Sequence, residues 1–288
     1  MKSANIKLGF IGFGEVASAF CTTFKEAGLQ DIVVFHRRWR LSQEKARRIG
    51  VALLPSINDV VSEADIIISS VWPNTALEVA QEAAKSLSGE KLYVDSNTLS
   101  PPTVQQLEKL VTAKARFAYA AVMDAVSYMG SKVPMSCSGE GAEAFADFAR
   151  NYGLNVTVVG KDPRQAAALK ILRGLALKGF SMCLHEALLG AHRYKITEQL
   201  VASTAEWLNK APFPEIVELF ETSNFLHAQR RMGEMEEASV ALQAVGIESI
   251  MSKGVKAAYE QLDLAISSLL RKDPAPRSYR EVLERLLA

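Results

Sequence analysis

The feature that most constrains this chain is a change of rhythm partway along it. Short β-rich runs at 7–11, 32–36, 66–70, 92–94 and 117–121 alternate with helical stretches at 42–49, 75–87 and 102–111. Short apolar runs bounded by turn residues fit strands buried on both faces, and strands separated by helical crossovers pair in parallel. That pattern predicts an α/β domain, a mostly parallel sheet covered by helices on both sides. Two further β-like runs, 134–138 and 155–159, flank a predicted helix at 140–152 and extend the sheet. From Asp162 onward only helical patterns remain. A long helix from about Arg164 to Tyr194 is followed by others at 197–209, 213–226, 228–245, 249–270 and 278–287, punctuated by Pro212, Pro214, Pro274 and Pro276. The chain therefore divides into an α/β domain over 1–162 and an all-α domain over 163–288, joined by the long helix.

The first strand leads into Gly12-Phe13-Gly14-Glu15-Val16-Ala17, and a helix from Glu15 runs until Gly28 ends it. Glycines in a strand-to-helix turn are the context that a Rossmann, doubly wound dinucleotide fold requires. Gly12 permits the tight turn, Gly14 lets a pyrophosphate reach the backbone, and Ala17 lets the helix lie close to the strand. The free amides of that helix end, from Phe13 to Val16, then face the anion. The second strand ends in His36-Arg37-Arg38-Trp39-Arg40, where an enzyme selective for NAD carries a carboxylate for the ribose hydroxyls. Arginines fork onto a 2′-phosphate instead, so NADP is expected, with Arg37 the first contact, Arg38 the second and His36 beside them. A solvated basic loop is the alternative reading of the same residues.

Composition excludes several classes. The 33 basic and 32 acidic residues are interspersed, which leaves no electrostatic footprint for nucleic acid or an anionic membrane. No apolar run reaches the roughly 20 residues that span a bilayer, and the first residues carry no signal core. A cytoplasmic protein is expected. Cys21, Cys137 and Cys183 stand far apart, so neither a disulfide framework nor a metal site is expected.

Beyond the opening loop, four segments carry a family likeness: "SSVWPN" from Ser69, "YVDSNTLSPPT" from Tyr93, "MDAVSYMG" from Met123 and "AAALKILRGLALKG" from Ala166. With "GFIGFGEVASAF" they resemble the β-hydroxyacid dehydrogenase family, which includes 3-hydroxyisobutyrate and 6-phosphogluconate dehydrogenases and uncharacterised relatives. The resemblance implies that Val71, Trp72 and Pro73 form a cofactor-side loop and that Asn97 lies in the segment lining the nicotinamide pocket. It also implies that Ser127 holds substrate and that Lys170 is the catalytic lysine. Where the family places an asparagine four residues after that lysine, this chain has Gly174, with Arg173 beside it as a replacement contact. The substitution argues against ordinary 3-hydroxyisobutyrate-like substrates.

Oxidising a secondary alcohol needs a hydride acceptor and a base; the cofactor supplies the first and the protein the second. A lysine shielded from water beside a cationic nicotinamide has its pKa lowered toward neutrality, which suits Lys170 to that work. Ser127 and Asn97, short polar groups after parallel strands, point toward the crevice at the strand ends. His227, Arg230, Arg231 and Glu234 share helical spacing and read either as an exposed salt-bridged face or as an anion grip by Arg231 with His227. The expectation is an NADP-dependent oxidoreductase of a small 3-hydroxy acid or its semialdehyde or keto form, active as a homodimer through the helical domain. An imine reductase on the same fold, or an NADP-binding regulatory protein without catalysis, are the alternatives.

Overall fold

The structure is a computed structural model that describes residues 6–267, 269 and 275–288. It falls into two compact units, Met1–Leu175 and Ala176–Ala288, which meet within the long helix expected to join the domains.

The first unit is built on eight strands: β1 (Leu8–Ile11), β2 (Ile32–Phe35), β3 (Ala52–Leu53), β4 (Ile66–Ser69), β5 (Leu92–Asp95), β6 (Arg116–Val122), β7 (Met135–Ser138) and β8 (Val156–Gly160). Their spatial order is β3-β2-β1-β4-β5-β6-β7-β8. All neighbours pair in parallel except β6 with β7, so the last two strands run against the rest. Helices α1 (Glu15–Glu26), α2 (Trp39–Ile49), α3 (Ile57–Glu63), α4 (Ala76–Ala84), α5 (Pro101–Val111), α6 (Val126–Met129) and α7 (Ala142–Asn151) connect them, and α8 (Arg164–Tyr194) begins here. The short β3, α3 and the helical turn α6 were not legible in the apolar pattern, because none is long enough to show a period.

Side chains alternate strictly across the sheet. Leu8, Phe10, Ile32, Val34, Ile66, Ile68, Leu92 and Val94 pack on one face with Phe20 and Phe24 of α1 and Phe145 and Phe148 of α7. Ile11, Val33, Ile67, Tyr93, Phe117 and Tyr119 pack on the other with α3, α4, α5 and Ala166 and Ala167 of α8. Each large aliphatic side chain buried this way contributes about 1.5–3 kcal/mol, which is why near-continuous apolar strands select this two-sided arrangement. At Gly9 a Cβ would stand 2.7 Å from Val60 Cγ1 and Ala64 Cβ, so glycine there lets α3 lie directly on β1.

The second unit contains the rest of α8 with α9 (Thr197–Leu208), α10 (Phe213–Ala244), α11 (Met251–Ser267) and α12 (Tyr279–Leu287). The expected end of the fourth of these helices at Leu270 lies outside the described residues. Two helices were expected at 213–226 and 228–245, and α10 is parted at that point: His227, with φ of −132° and ψ of 24°, is not helical and marks a kink between the two halves. Phe225, Ala228, Ile266 and Val282 form its buried centre. Glu186 accepts hydrogen bonds from the backbone N–H groups of Ile250, Met251 and Ser252 at 2.7, 2.7 and 2.9 Å and from the Ser252 hydroxyl at 3.0 Å. A carboxylate thus caps the first turn of α11, whose amides have no intrahelical partner.

Candidate dinucleotide site at the switch point of the sheet

Strand order reverses at β1, whose neighbours β2 and β4 lie on opposite sides. Ligands of open α/β sheets bind outside the carboxyl ends of the strands at such a point. The loops after β1 and β4 flank it and touch there: Gly12 has φ of 96°, and a Cβ on it would lie 2.0 Å from the carbonyl oxygen of Ser70. Both the backbone angle and the close approach require glycine.

Gly14 is different. Its backbone is extended at φ −79° and ψ −155°, and nothing lies within 4 Å of where its Cβ would be. The protein's own packing does not require glycine there; the open space suits a group approaching from outside. Gly14 caps α1 without any side-chain hydrogen bond, so the first amides of the helix remain available to an anion. Glu15 is exposed and Val16 half-buried at that end, whereas the Phe13 side chain is wholly buried, so Phe13 has only its backbone to offer. Lys45 of α2 donates to the Phe13 carbonyl at 2.7 Å and sits 4.7 Å from the centre of its ring. Burial, reinforced by Arg48, holds the Lys45 pKa below its ordinary value.

At the end of β2, His36 Nδ1 pairs with the buried Ser42 hydroxyl at 2.5 Å, which in turn donates to the carbonyl of Arg38 at 3.2 Å. Burial and the nearby Lys45 lower the His36 pKa, which keeps its ring neutral at physiological pH. Arg37 and Arg38 are exposed, and neither makes an ion pair among the described residues. The residues present fit the pyrophosphate of a dinucleotide, with open backbone at Gly14 and free helix amides, and two exposed arginines stand at the end of β2.

On the other side of the switch point, Val71 is half-buried while Trp72 and Pro73 are exposed. The Val71 N–H donates to Asn97 Oδ1 at 2.6 Å, and Asn97 Nδ2 donates to Asp95 Oδ2 at 2.8 Å. Asn97 is only 4% exposed with both polar ends engaged, so it is part of the frame and not the substrate contact expected of it. Ser127 is exposed on α6 with no hydrogen-bond partner for its hydroxyl among the described residues. Arg173 NH1 donates to the Met123 carbonyl at 2.7 Å, tying α8 to the segment that carries Ser127. Lys170, half-buried, lies three residues earlier on the same face of α8.

His227 and Arg231 belong to the helical unit. His227 is exposed at the bend of α10. Arg231 reaches back across that bend, donating to Ser223 Oγ at 2.7 Å, to Tyr259 OH at 3.1 Å and to Asn224 Oδ1. The expected anion grip is thus a clamp on a helix kink, and Arg230 with Glu234 at 2.8 Å is the exposed salt-bridged pair that the alternative reading describes. Asp95, Tyr119 and Lys45 were missed from the sequence. A carboxylate closing the apolar run Leu92-Tyr93-Val94 was the one available signal.

Among the described residues no cluster of His, Cys, Asp and Glu could hold a metal ion, and no helix is long and apolar enough to cross a membrane. Residues 7–98 match the family model of NADP oxidoreductases, coenzyme F420-dependent, and residues 191–262 match a domain of unknown function, DUF1932. An uncharacterized protein of Methanothermus fervidus, encoded in the 5′ region of a 7S RNA, is 28% identical over 90% of this chain and 99% of its own. The fold is shared with the reductive aminase of Aspergillus terreus, solved with NADPH and ethyl levulinate, at a TM-score of 0.71 and 15% identity over 98% of this chain and 99% of that one. A conserved protein of unknown function, described as structurally similar to 3-hydroxyacid dehydrogenases, is 34% identical over 90% of this chain and 97% of its own, with a TM-score of 0.65. With that identity sustained over nearly the whole length of both chains, the protein belongs to the 3-hydroxyacid dehydrogenase-like family of oxidoreductases that its sequence resembles.

Proposed function

We propose that the protein is an NADP-dependent oxidoreductase that interconverts a small 3-hydroxy acid and its semialdehyde or keto form. The observation that carries this reading is the opening loop at the switch point, with open space at Gly14 and an arginine pair free of carboxylates at the end of β2. Gly12 to Val16 hold the pyrophosphate, Arg37 and Arg38 with His36 hold the 2′-phosphate, and the loop of residues 71–73 borders the nicotinamide.

Bound nicotinamide supplies the two-electron acceptor or donor. Lys170 takes the proton from the substrate hydroxyl oxygen in the oxidative direction and returns it to the carbonyl oxygen in the reductive one. Ser127 offers its unpartnered hydroxyl to the substrate, and Arg173, with one N–H on Met123, has further donors for a carboxylate. At Gly174 nothing lies within 4 Å of a Cβ position, which leaves room beside Lys170 for a substrate larger than 3-hydroxyisobutyrate. That same open space favours imine reduction as the second reading, since it removes the polar side chain that would mark a hydroxy acid.

Within the helical unit, Leu177, Phe180, Met182, Phe213 and Leu264 are exposed apolar side chains. Faces of this kind need a partner, and a second copy of the chain supplies one. The balanced formal charge of the chain supports small molecules as the other partners, and the setting proposed is the cytoplasm.

Titration of protein fluorescence with NADPH and NADH tests the cofactor, repeated with Arg37→Ala. NADPH affinity falling roughly 10- to 100-fold toward the NADH level supports the reading; binding of neither dinucleotide ends it. Lys170→Ala then removes turnover of hydroxy acids or cyclic imines while NADPH still binds, and retained turnover excludes Lys170 as the acid/base.

A further inference from the structure

The two loops at the switch point are held from behind by a buried polar cluster centred on a carboxylate. Asp95 closes β5 with no exposed surface. Its Oδ1 accepts from the backbone N–H of Asn97 at 3.0 Å and its Oδ2 from Asn97 Nδ2 at 2.8 Å. Asn97 Oδ1 accepts from the Val71 N–H, the first amide of the loop after Ser70. Nδ2 also reaches Ser69 Oγ at 3.3 Å, and Ser96 Oγ donates to the Ser69 carbonyl at 2.9 Å, so β4 is gripped at its last residue too. Tyr119 of β6 completes the frame, its hydroxyl donating to the Asn97 carbonyl at 2.5 Å and accepting from the Leu99 N–H at 3.2 Å.

We infer that Asp95 is a positioning residue for the cofactor: acting through Asn97, it fixes the loop of residues 70–73 and so sets where the nicotinamide half of a dinucleotide rests. The inference rests on the NADP reading proposed above. Both oxygens of Asp95 accept from N–H groups of Asn97, which places the amide nitrogen of Asn97 inward and its oxygen toward Val71. The loop so held is the one that already touches Gly12. Burial pushes the Asp95 pKa up to about 7, against the opposing hydrogen bonds from Asn97 and Ser69.

The test uses the full chain and two probes, NADPH and 2′,5′-ADP, the second lacking the nicotinamide half. Asp95→Asn sets two N–H groups against each other, and Asn97→Asp sets two carboxylates against each other. The double variant reverses the donor between the two side chains and restores the link to the loop: the new amide at 95 donates to the new carboxylate at 97, which still accepts from Val71. For Asp95→Asn, NADPH binding is expected to weaken about tenfold and 2′,5′-ADP binding to change less than about twofold. The double variant is expected to recover NADPH affinity to within about threefold of the wild type. Equal weakening of both probes, no weakening of either, or a double variant that melts like the wild type yet fails to recover would overturn the inference. Should Asp95→Asn not fold, Asn97→Ser with Asp95 intact cuts the same link to Val71, and the same split between the probes is expected or the inference fails. Wild-type protein that binds neither probe defeats the NADP reading itself, an outcome distinct from a wild type that binds both and a variant that shows no split.

Discussion

Gly14→Ala separates the two reasons for which a chain keeps glycine. At Gly14 the backbone is extended and the methyl would meet no protein atom within 4 Å. The loss in stability is therefore confined to poorer capping of α1, about 0.5–1 kcal/mol, which corresponds to a fall in Tm of only about 1–4 °C for a chain of this size. A pyrophosphate resting on that backbone would be displaced by the methyl and lose one or two charge-assisted hydrogen bonds worth about 1.5–3 kcal/mol each, a fall in NADPH affinity of roughly 10-fold to more than 1,000-fold. Gly12→Ala is the contrast. Its φ of 96° alone costs about 1–2 kcal/mol for a side chain, and a Cβ 2.0 Å from the Ser70 oxygen forces the two loops apart for about 1–3 kcal/mol more. Stability and binding then fall together. Thermal melting and NADPH fluorescence titration of both variants are the assays. If Gly14→Ala melts and binds NADPH like the wild type, the loop is a turn that cradles nothing.

Two further outcomes follow from the geometry. Burial pushes the Glu186 carboxyl up, but the three amides of α11 and the Ser252 hydroxyl outweigh it and leave the group below its ordinary 4.5. Its contribution is therefore present above pH 4.5 and lost as the pH falls through the lowered value; Glu186→Gln should destabilise the protein by about 1–3 kcal/mol at neutral pH, and a gap that does not close on acidification in urea melts refutes the assignment. Gly174→Asn has open space for its side chain and should raise stability by a few tenths of a kcal/mol, roughly the helix-propensity difference. It should also shift kcat/KM toward smaller hydroxy acids; an unchanged substrate profile would remove Gly174 from the substrate site.

The fold was largely legible because its determinants are local and periodic. The apolar runs ending at Ile11, Phe35, Ser69 and Asp95 carry the strand signal in their own composition, and α8 runs from Arg164 to Tyr194 as its pattern predicts. The glycine loop was legible for the same reason: a strand, a turn and a helix are adjacent in the chain. Sequence could not show that β7 turns back against β6, since direction depends on which edge a strand joins. It placed a break at residue 227 but could not show the clamp across it, where Arg231 holds groups seven and eight residues back.

The sequence by itself determined that a doubly wound sheet precedes a helical region, that a glycine-bearing turn joins the first strand to the first helix, and that arginines stand at the end of β2. Only the tertiary structure decided what the polar residues between those landmarks do. Asn97 looks like a substrate contact in the chain and is an internal strut in the fold, because Val71 lies 26 positions away yet within 2.6 Å. Arg231 looks like an anion grip and is a clamp, because its three acceptors come from two helices. Apolar periodicity reports which face of an element is buried, and it is a property of neighbours along the chain. A hydrogen-bond partner is a property of neighbours in space, and for these residues the fold alone brings the partner within reach.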